Sequence, residues 1–343
     1  MIDFSLGEEQ SALRELAREF AQREIAPRAA DYDRQSKHPA DVLEKAHQVG
    51  LMNMVVPEEY GGAGLGMFET CLVSEELCAA CSGIGVAIVA NTLALTPFLL
   101  AASAGQMETH VRPLCEGPHL AALCMTEPQA GSDVGAIRAT ARLSGDRYVL
   151  NGTKTLIDNG GVARLYSVFA FTDQEQGLRG LSAFAVPADL PGVSVGKHED
   201  KMGQRAINTS EVIFQEVELP VESRLGAEGE GFSIFIETLN RNKAWIAASA
   251  VGVARRALQE ATRYAQEREQ FGRSISSFQA IQFKLADMAI NIEGARLLSW
   301  HAACLVDQGA HHAPHSAIAK CFASDTAMEL SLIHISEPTR LRR

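Results

Sequence analysis

The sequence predicts an α+β fold in three parts: an N-terminal helical domain, a middle β-sandwich or barrel domain, and a C-terminal helical bundle. Three observations predict it. Apolar residues recur every three or four positions in residues 1–120, they alternate with period two in 121–225, and the helical period returns in 226–330.

In the first part, Ser5 with Glu8 reads as a capping box, and Leu13, Leu16, Ala17 and Phe20 follow on one helical face. Asp41–Val49 continues in the same style, and the glycines of Pro57–Gly66 mark a loop. Phe68–Ala102 is apolar on most sides, as expected of a helix buried inside a bundle. In the middle part, Ser144-Gly145-Asp146 reads as a hairpin turn, and Asn151-Gly152 reads as a second one. Leu165–Phe171, Leu181–Val186 and Glu211–Val217 are strands set off by Gly, Pro and Asp, and strands end near Pro220. In the third part, Ile246, Ala250, Val253, Ala257, Ala261 and Tyr264 step by three or four. Phe278, Ile281, Leu285, Met288, Ile292 and Ala295 do the same, which is bundle packing.

Composition narrows the function. The chain has 343 residues, 46% of them hydrophobic and 21% charged, with a formal net charge of −11. This is an ordinary globular balance, and the negative charge disfavours nucleic acid as a partner. No run is read as a membrane-spanning helix, and Met1-Ile2-Asp3-Phe4 has neither a basic leader nor transit character, so a cytoplasmic protein is expected. The seven cysteines are scattered through apolar segments and are expected to be reduced and buried; Cys78-Ala79-Ala80-Cys81 has no second pair to make a metal site. His311, His312 and His315 are expected in a solvated loop between helices, with no acidic or Cys partner at metal-ligand spacing, so no metal is expected.

The chemistry-bearing stretch is Cys124-Met125-Thr126-Glu127-Pro128-Gln129-Ala130-Gly131-Ser132-Asp133-Val134-Gly135-Ala136. An apolar run breaks at Pro128 into a loop whose glycines allow close approach of a ligand and whose amides can cradle an anion. A plain Gly/Ser turn at a strand end has the same composition. The stretch resembles the signature of the acyl-CoA dehydrogenase family at every fixed position. Asn151-Gly152 to Asn159-Gly160-Gly161, Lys201-Met202-Gly203-Gln204-Arg205, Gly229-Glu230-Gly231-Phe232, Glu267-Arg268 to Phe271-Gly272, and Gln279 to Met288 resemble further family motifs, in the family's order.

The resemblance implies the same helical–β–helical fold. The activity it implies is FAD-dependent α,β-dehydrogenation of an acyl-CoA thioester: a carboxylate takes the α proton and the β hydrogen leaves as hydride to flavin N5. It also implies a homotetramer or homodimer and an electron-transfer flavoprotein as acceptor. The flavin would be lined by Leu123, Met125, Thr126, Gly131, Ser132, Leu156, Ile157 and Asp158. Arg268, Phe271, Phe278 and Gln279 would meet the FAD of a neighbouring subunit. Ser132, Leu239, Asn240 and Lys243 would lie by the substrate. An oxygen-using relative (acyl-CoA oxidase or nitroalkane-oxidase type) and a non-catalytic flavin- or CoA-binding paralogue are the alternatives.

Several positions depart from the family's pattern. Asp158 stands where Ser or Thr bonds flavin N5, so a raised pKa or a turned-away side chain is expected; Asp158 is also the one carboxylate near the ring to weigh as a base. Lys243 stands for an Arg. Asn242 stands where some members carry their catalytic Glu. Residues 331–343, Ser331 to Arg343, resemble nothing in the family, with Pro338 expected to interrupt helical periodicity. They are read as an unrelated tail replacing the segment that bears the usual catalytic Glu, which leaves the chain inactive or impaired.

Overall fold

Helix starts are set by local chemistry in this computed structural model, which describes the backbone of residues 5–340 and side chains through Ser331. The packing divides the chain into two units, each made of separated segments. One comprises 1–29, 66–85 and 240–343; the other comprises 30–65 and 86–239.

The helices are shared between the two units, those within 30–65 and most of those within 82–115 belonging to the second. Helix α1 (Glu8–Phe20) starts after Gly7, whose N–H donates to Gln10 Oε1 at 3.1 Å, so the cap lies two residues beyond the expected Ser5–Glu8 box. Ala17 and Phe20 are buried as expected, whereas Leu16 is exposed. Between α1 and the next long helix lie α2 (Ala29–Gln35) and α3 (Ala40–Gln48). The stretch expected as one helix is two: α4 (Met67–Ala80) and α5 (Ser82–Ala101), broken at Cys81, whose backbone is extended. Asp307 caps α4, accepting from Met67 N–H at 2.6 Å and Phe68 N–H at 2.9 Å. By length and composition α5 could cross a membrane, contrary to the reading of the sequence; most of it is buried within the protein, as a core helix is. Short helices α6 (Ala104–Gln106) and α7 (Arg112–Cys115) follow.

Helix α8 (Gly231–Glu267) is 37 residues long. It packs on α4 closely enough that a Cβ at Gly252 would lie 2.4 Å from the carbonyl oxygen of Glu75. Helix α9 (Gln279–Asp307) buries Met288, Ile292, Ala295, Ser299, Ala302 and Val306, a seam spaced by three and four residues. Helix α10 (Ala313–Arg340) pairs with it and continues through the position of Pro338; the last three residues, and side chains beyond Ser331, lie outside the described residues. Two carboxylates of α4 gather arginines from α1, α8 and α9. Glu76 holds Arg14 and Arg255, at 2.9 and 2.6 Å, and Glu75 holds Arg296 at 3.0 Å.

The expectation of buried thiols holds for Cys71, Cys78, Cys115 and Cys124 but not for Cys321, which is exposed. Burial pushes the Cys78 thiol up to about 12. Of the histidine cluster, His311 is exposed in the loop between two helices as expected, His312 is buried there with Ser316 Oγ 3.5 Å from its Nδ1, and His315, exposed, sits edge-on to His301 on α9.

The second unit carries the sheet. Strands β1 (Ala121–Cys124), β2 (Thr140–Ser144), β3 (Arg147–Asp158), β4 (Leu165–Phe171), β5 (Leu181–Pro187), β6 (Val193–His198), β7 (Thr209–Pro220) and β8 (Arg224–Leu225) form one hydrogen-bonded system in the order β6-β7-β3-β2-β4-β5-β8, with β1 parallel to β4. The expected Gly145 hairpin joins β2 to β3. Asn151-Gly152 is no turn. β3 continues through it with a shift of register against β7 between Leu150 and Gly152, and Gly152 is required because a Cβ there would come within 2.5 Å of Ala139 Cβ. Phe169, Leu181, Ala183, Leu225 and Phe235 centre the core, with Phe169 and Phe235 meeting edge to face.

Candidate active site

The loop after β1 is pinned from below by a fully buried ion pair. Lys154 Nζ donates to Glu127 Oε1 at 2.9 Å and to Met125 O at 3.0 Å. Glu127 also accepts from the N–H groups of Arg138 (2.7 Å) and Ala139 (3.0 Å) and from Gln129 Nε2 (2.7 Å), so one carboxylate ties both ends of the loop to β3. Burial by itself would raise its pKa, but the Lys154 charge and these donors outweigh it and hold Glu127 below the usual carboxylate range. Glu127 and Ala130 exchange backbone hydrogen bonds, and Thr155 N–H donates to Thr126 O at 2.9 Å, which lays the loop along β3.

Above this anchor the loop is open. Among the described residues, the N–H groups of Gly131, Ser132 and Asp133 and the hydroxyls of Thr126 and Ser132 meet no protein partner, and a Cβ on Gly131 would touch nothing within 4 Å. Met125 is buried in the core, its carbonyl taken by Lys154, and Leu123 is half-buried. The donor set suits an acceptor-rich or anionic ligand.

β3 changes direction beside the loop. Its register with β7 shifts between Lys154 and Ile157, and Leu156 adopts φ 55°, the left-handed region that costs a non-glycine residue of order 1 kcal/mol or more. The bulge turns Leu156 out to solvent, buries Ile157 and presents Asp158. Asn159 follows at φ 60°, its carboxamide fully buried with neither polar atom partnered. The Asp158 side chain is exposed at the end of β3. Crowding by protein raises its pKa, opposed by the Thr209 hydroxyl, which donates to Oδ1 at 2.7 Å, and by the Lys201 charge.

The remaining expected residues lie in the first unit or on the helix that leads into it. Arg268, Phe271, Phe278 and Gln279 gather around a short hairpin, β9 (Glu269–Gln270) and β10 (Arg273–Ser274). Phe271 is almost fully exposed and meets Phe278 edge-on, while Arg273, which the sequence reading passed over, lays its guanidinium 4.3 Å over the Phe278 ring. On α8, Lys243 Nζ donates to Asn240 Oδ1 at 2.9 Å, with Leu239 adjacent in the chain. Asn242 is buried, accepting the Trp245 indole N–H at 2.6 Å. Glu127, Lys154, Thr209 and Lys201 were also passed over as site residues. Lys154 had a usable signal, because it shares a strand face with Tyr148 and Leu150, where a charge demands a partner.

Fold and site together define a helical–β–helical protein whose sheet presents an anchored, donor-rich loop beside a bulged strand. Family models for the acyl-CoA dehydrogenase N-terminal, middle and C-terminal domains match residues 7–118, 122–217 and 229–333, and the chain belongs to the acyl-CoA dehydrogenase family. It is 40% identical over 331 residues to the short-chain specific acyl-CoA dehydrogenase of Clostridium acetobutylicum, covering 96% of this chain and 87% of that one. It superposes on butyryl-CoA dehydrogenase from Megasphaera elsdenii with TM-score 0.92, 36% identity, and coverage of 96% and 88%. A chain in a solved structure of the electron transferring flavoprotein of Acidaminococcus fermentans gives TM-score 0.94 at 45% identity, with coverage of 96% and 87%. These matches do not support an unrelated tail beginning at Ser331: the C-terminal family model extends to residue 333 and α10 has no break there.

Proposed function

We propose that the chain binds FAD in the loop after β1 and dehydrogenates an acyl-CoA thioester between its α and β carbons, short acyl chains being the first to test. The observation that carries this reading is the row of unpartnered donors from Thr126 to Asp133, held rigid by the Glu127–Lys154 pair. When bound, the flavin supplies the hydride acceptor. The loop amides and the Ser132 hydroxyl would hold its phosphate-bearing arm, and the backbone at Met125 and Thr126 the ring edge. Leu156, Ile157 and Asp158 would flank the ring, and Asn159 offers a buried carboxamide beside it. Lys243 and Asn240, with Leu239, would lie along the thioester arm. Asn242 is committed to Trp245 and cannot take a proton, so the α proton is assigned to no described residue and slow turnover is proposed for residues 1–343.

Self-association is part of the proposal. Phe283 and Ile290 on α9 and Ile318 on α10 are more than half exposed, an apolar face suited to a second copy. The hairpin group of Arg268, Phe271, Phe278 and Gln279 would then serve a neighbour's FAD. An electron-transfer flavoprotein is the proposed acceptor, after the Acidaminococcus likeness. The test is anaerobic titration of the FAD-loaded protein with butyryl-CoA and with longer and branched thioesters. A shifted flavin spectrum with slow bleaching is expected. No spectral response to any thioester would contradict the reading.

A further inference from the structure

We infer that Asp158, tied through Thr209 to Lys201, is the ionisable group by which this chain couples proton uptake to reduction of its flavin. The inference rests on the flavin reading above and goes beyond it. Asp158 and Thr209 are direct partners across β3 and β7. Thr209 Oγ1 donates its one proton to Asp158 Oδ1 at 2.7 Å and accepts from Lys201 Nζ at 2.6 Å, while Lys201 also donates to Ile207 O at 2.5 Å. Donors therefore run in one direction, from ammonium through hydroxyl to carboxyl, and end at a side chain that the bulge aims out of the sheet.

The other charges around the string are arranged so that none replaces it. Arg205 bonds the Lys201 carbonyl and pairs with Asp200 at 2.6 Å. His198 rests by Ser210 Oγ at 3.3 Å, and Glu199 gives its N–H to Thr209 O. On β3 itself the nearest charge, Lys154, is neutralised by Glu127. Asp158 is exposed at its tip, yet the protein packed around it raises its pKa, and desolvation lowers Lys201, which brings the two groups' titrations towards each other. With FAD bound beside it, Asp158 would bind a proton from solvent more tightly once reduction had added negative charge there, and across the window between its pKa values in the two states it would take up one proton for every two electrons. A Ser or Thr at this position has no such proton to exchange.

The experiment is the midpoint potential of the FAD-loaded protein against pH for wild type, Asp158→Thr, Asp158→Asn and Lys201→Met. Wild type is expected to show an added tenfold change in the reduction equilibrium per pH unit over that window, about 30 mV for two electrons. Both Asp158 variants should lose it, and Lys201→Met should move the window to higher pH because a positive charge has gone. Equal slopes in wild type and both Asp158 variants at every pH would overturn the inference. Where a variant fails to fold, the infrared difference spectrum of wild type on reduction decides: a new protonated-carboxyl band is expected, and its absence overturns the proposal. Failure of wild type to bind FAD would instead overturn the functional reading.

Discussion

Lys154 and Glu127, 27 residues apart in the chain, meet at 2.9 Å with both side chains out of contact with solvent, and their junction holds the loop that begins at Met125. Breaking one half leaves an uncompensated buried charge. Lys154→Met should therefore destabilise the protein by about 3–5 kcal/mol, and the double variant Lys154→Met/Glu127→Leu should recover part of that. Urea unfolding checks both. FAD affinity should stay weak in the double variant, because the loop's N–H groups lose the carboxylate that gathers them.

Acid should act through the same carboxylate and through Glu76. Both have folded pKa values held below the unfolded 4.5, Glu76 against its burial by the hydrogen bonds and charges of Arg255, Arg18 and Arg14. A depressed carboxylate contributes stability that is complete above its unfolded pKa and is lost as pH falls through the folded one. The contribution of these two carboxylates should thus be complete above about pH 5 and be lost below pH 4.5. Glu76→Gln should remove part of that loss, as read by thermal melts across pH.

Much of the fold was legible in the sequence. Leu165–Phe171 is read to the residue because six apolar positions in seven, broken only by Ser167, make a strand buried on both faces. Gly152 misled because glycine serves two ends: the position demands close approach to Ala139 and not a turn. The bulge at Leu156 leaves no compositional mark, since an aliphatic residue at positive φ is held there by register with β7 rather than by its own preference. The Lys154–Glu127 contact is non-local, so the spacing of either residue with its neighbours could not reveal the partner.

Gly252 lets α8 rest on α4. Gly252→Ala places a methyl 2.4 Å from the Glu75 carbonyl oxygen, and overpacking of this kind costs about 1–3 kcal/mol. Calorimetry should show a lowered Tm.

The exposed face of α9 should be an interface between copies. Wild type is expected to self-associate in light scattering, and Phe283→Glu with Ile290→Glu should reduce its mass to that of one chain without loss of helical circular dichroism. An unchanged mass would remove self-association through this face.

Equilibrium titration of the apoprotein with FAD, wild type beside Lys154→Met, tests the central claim most directly. The account predicts saturable binding at one site per chain by wild type and at least tenfold weaker binding by the variant. A wild-type chain that leaves added FAD free, or a variant that binds it equally well, would contradict the assignment of the Met125–Asp133 loop as the flavin's seat.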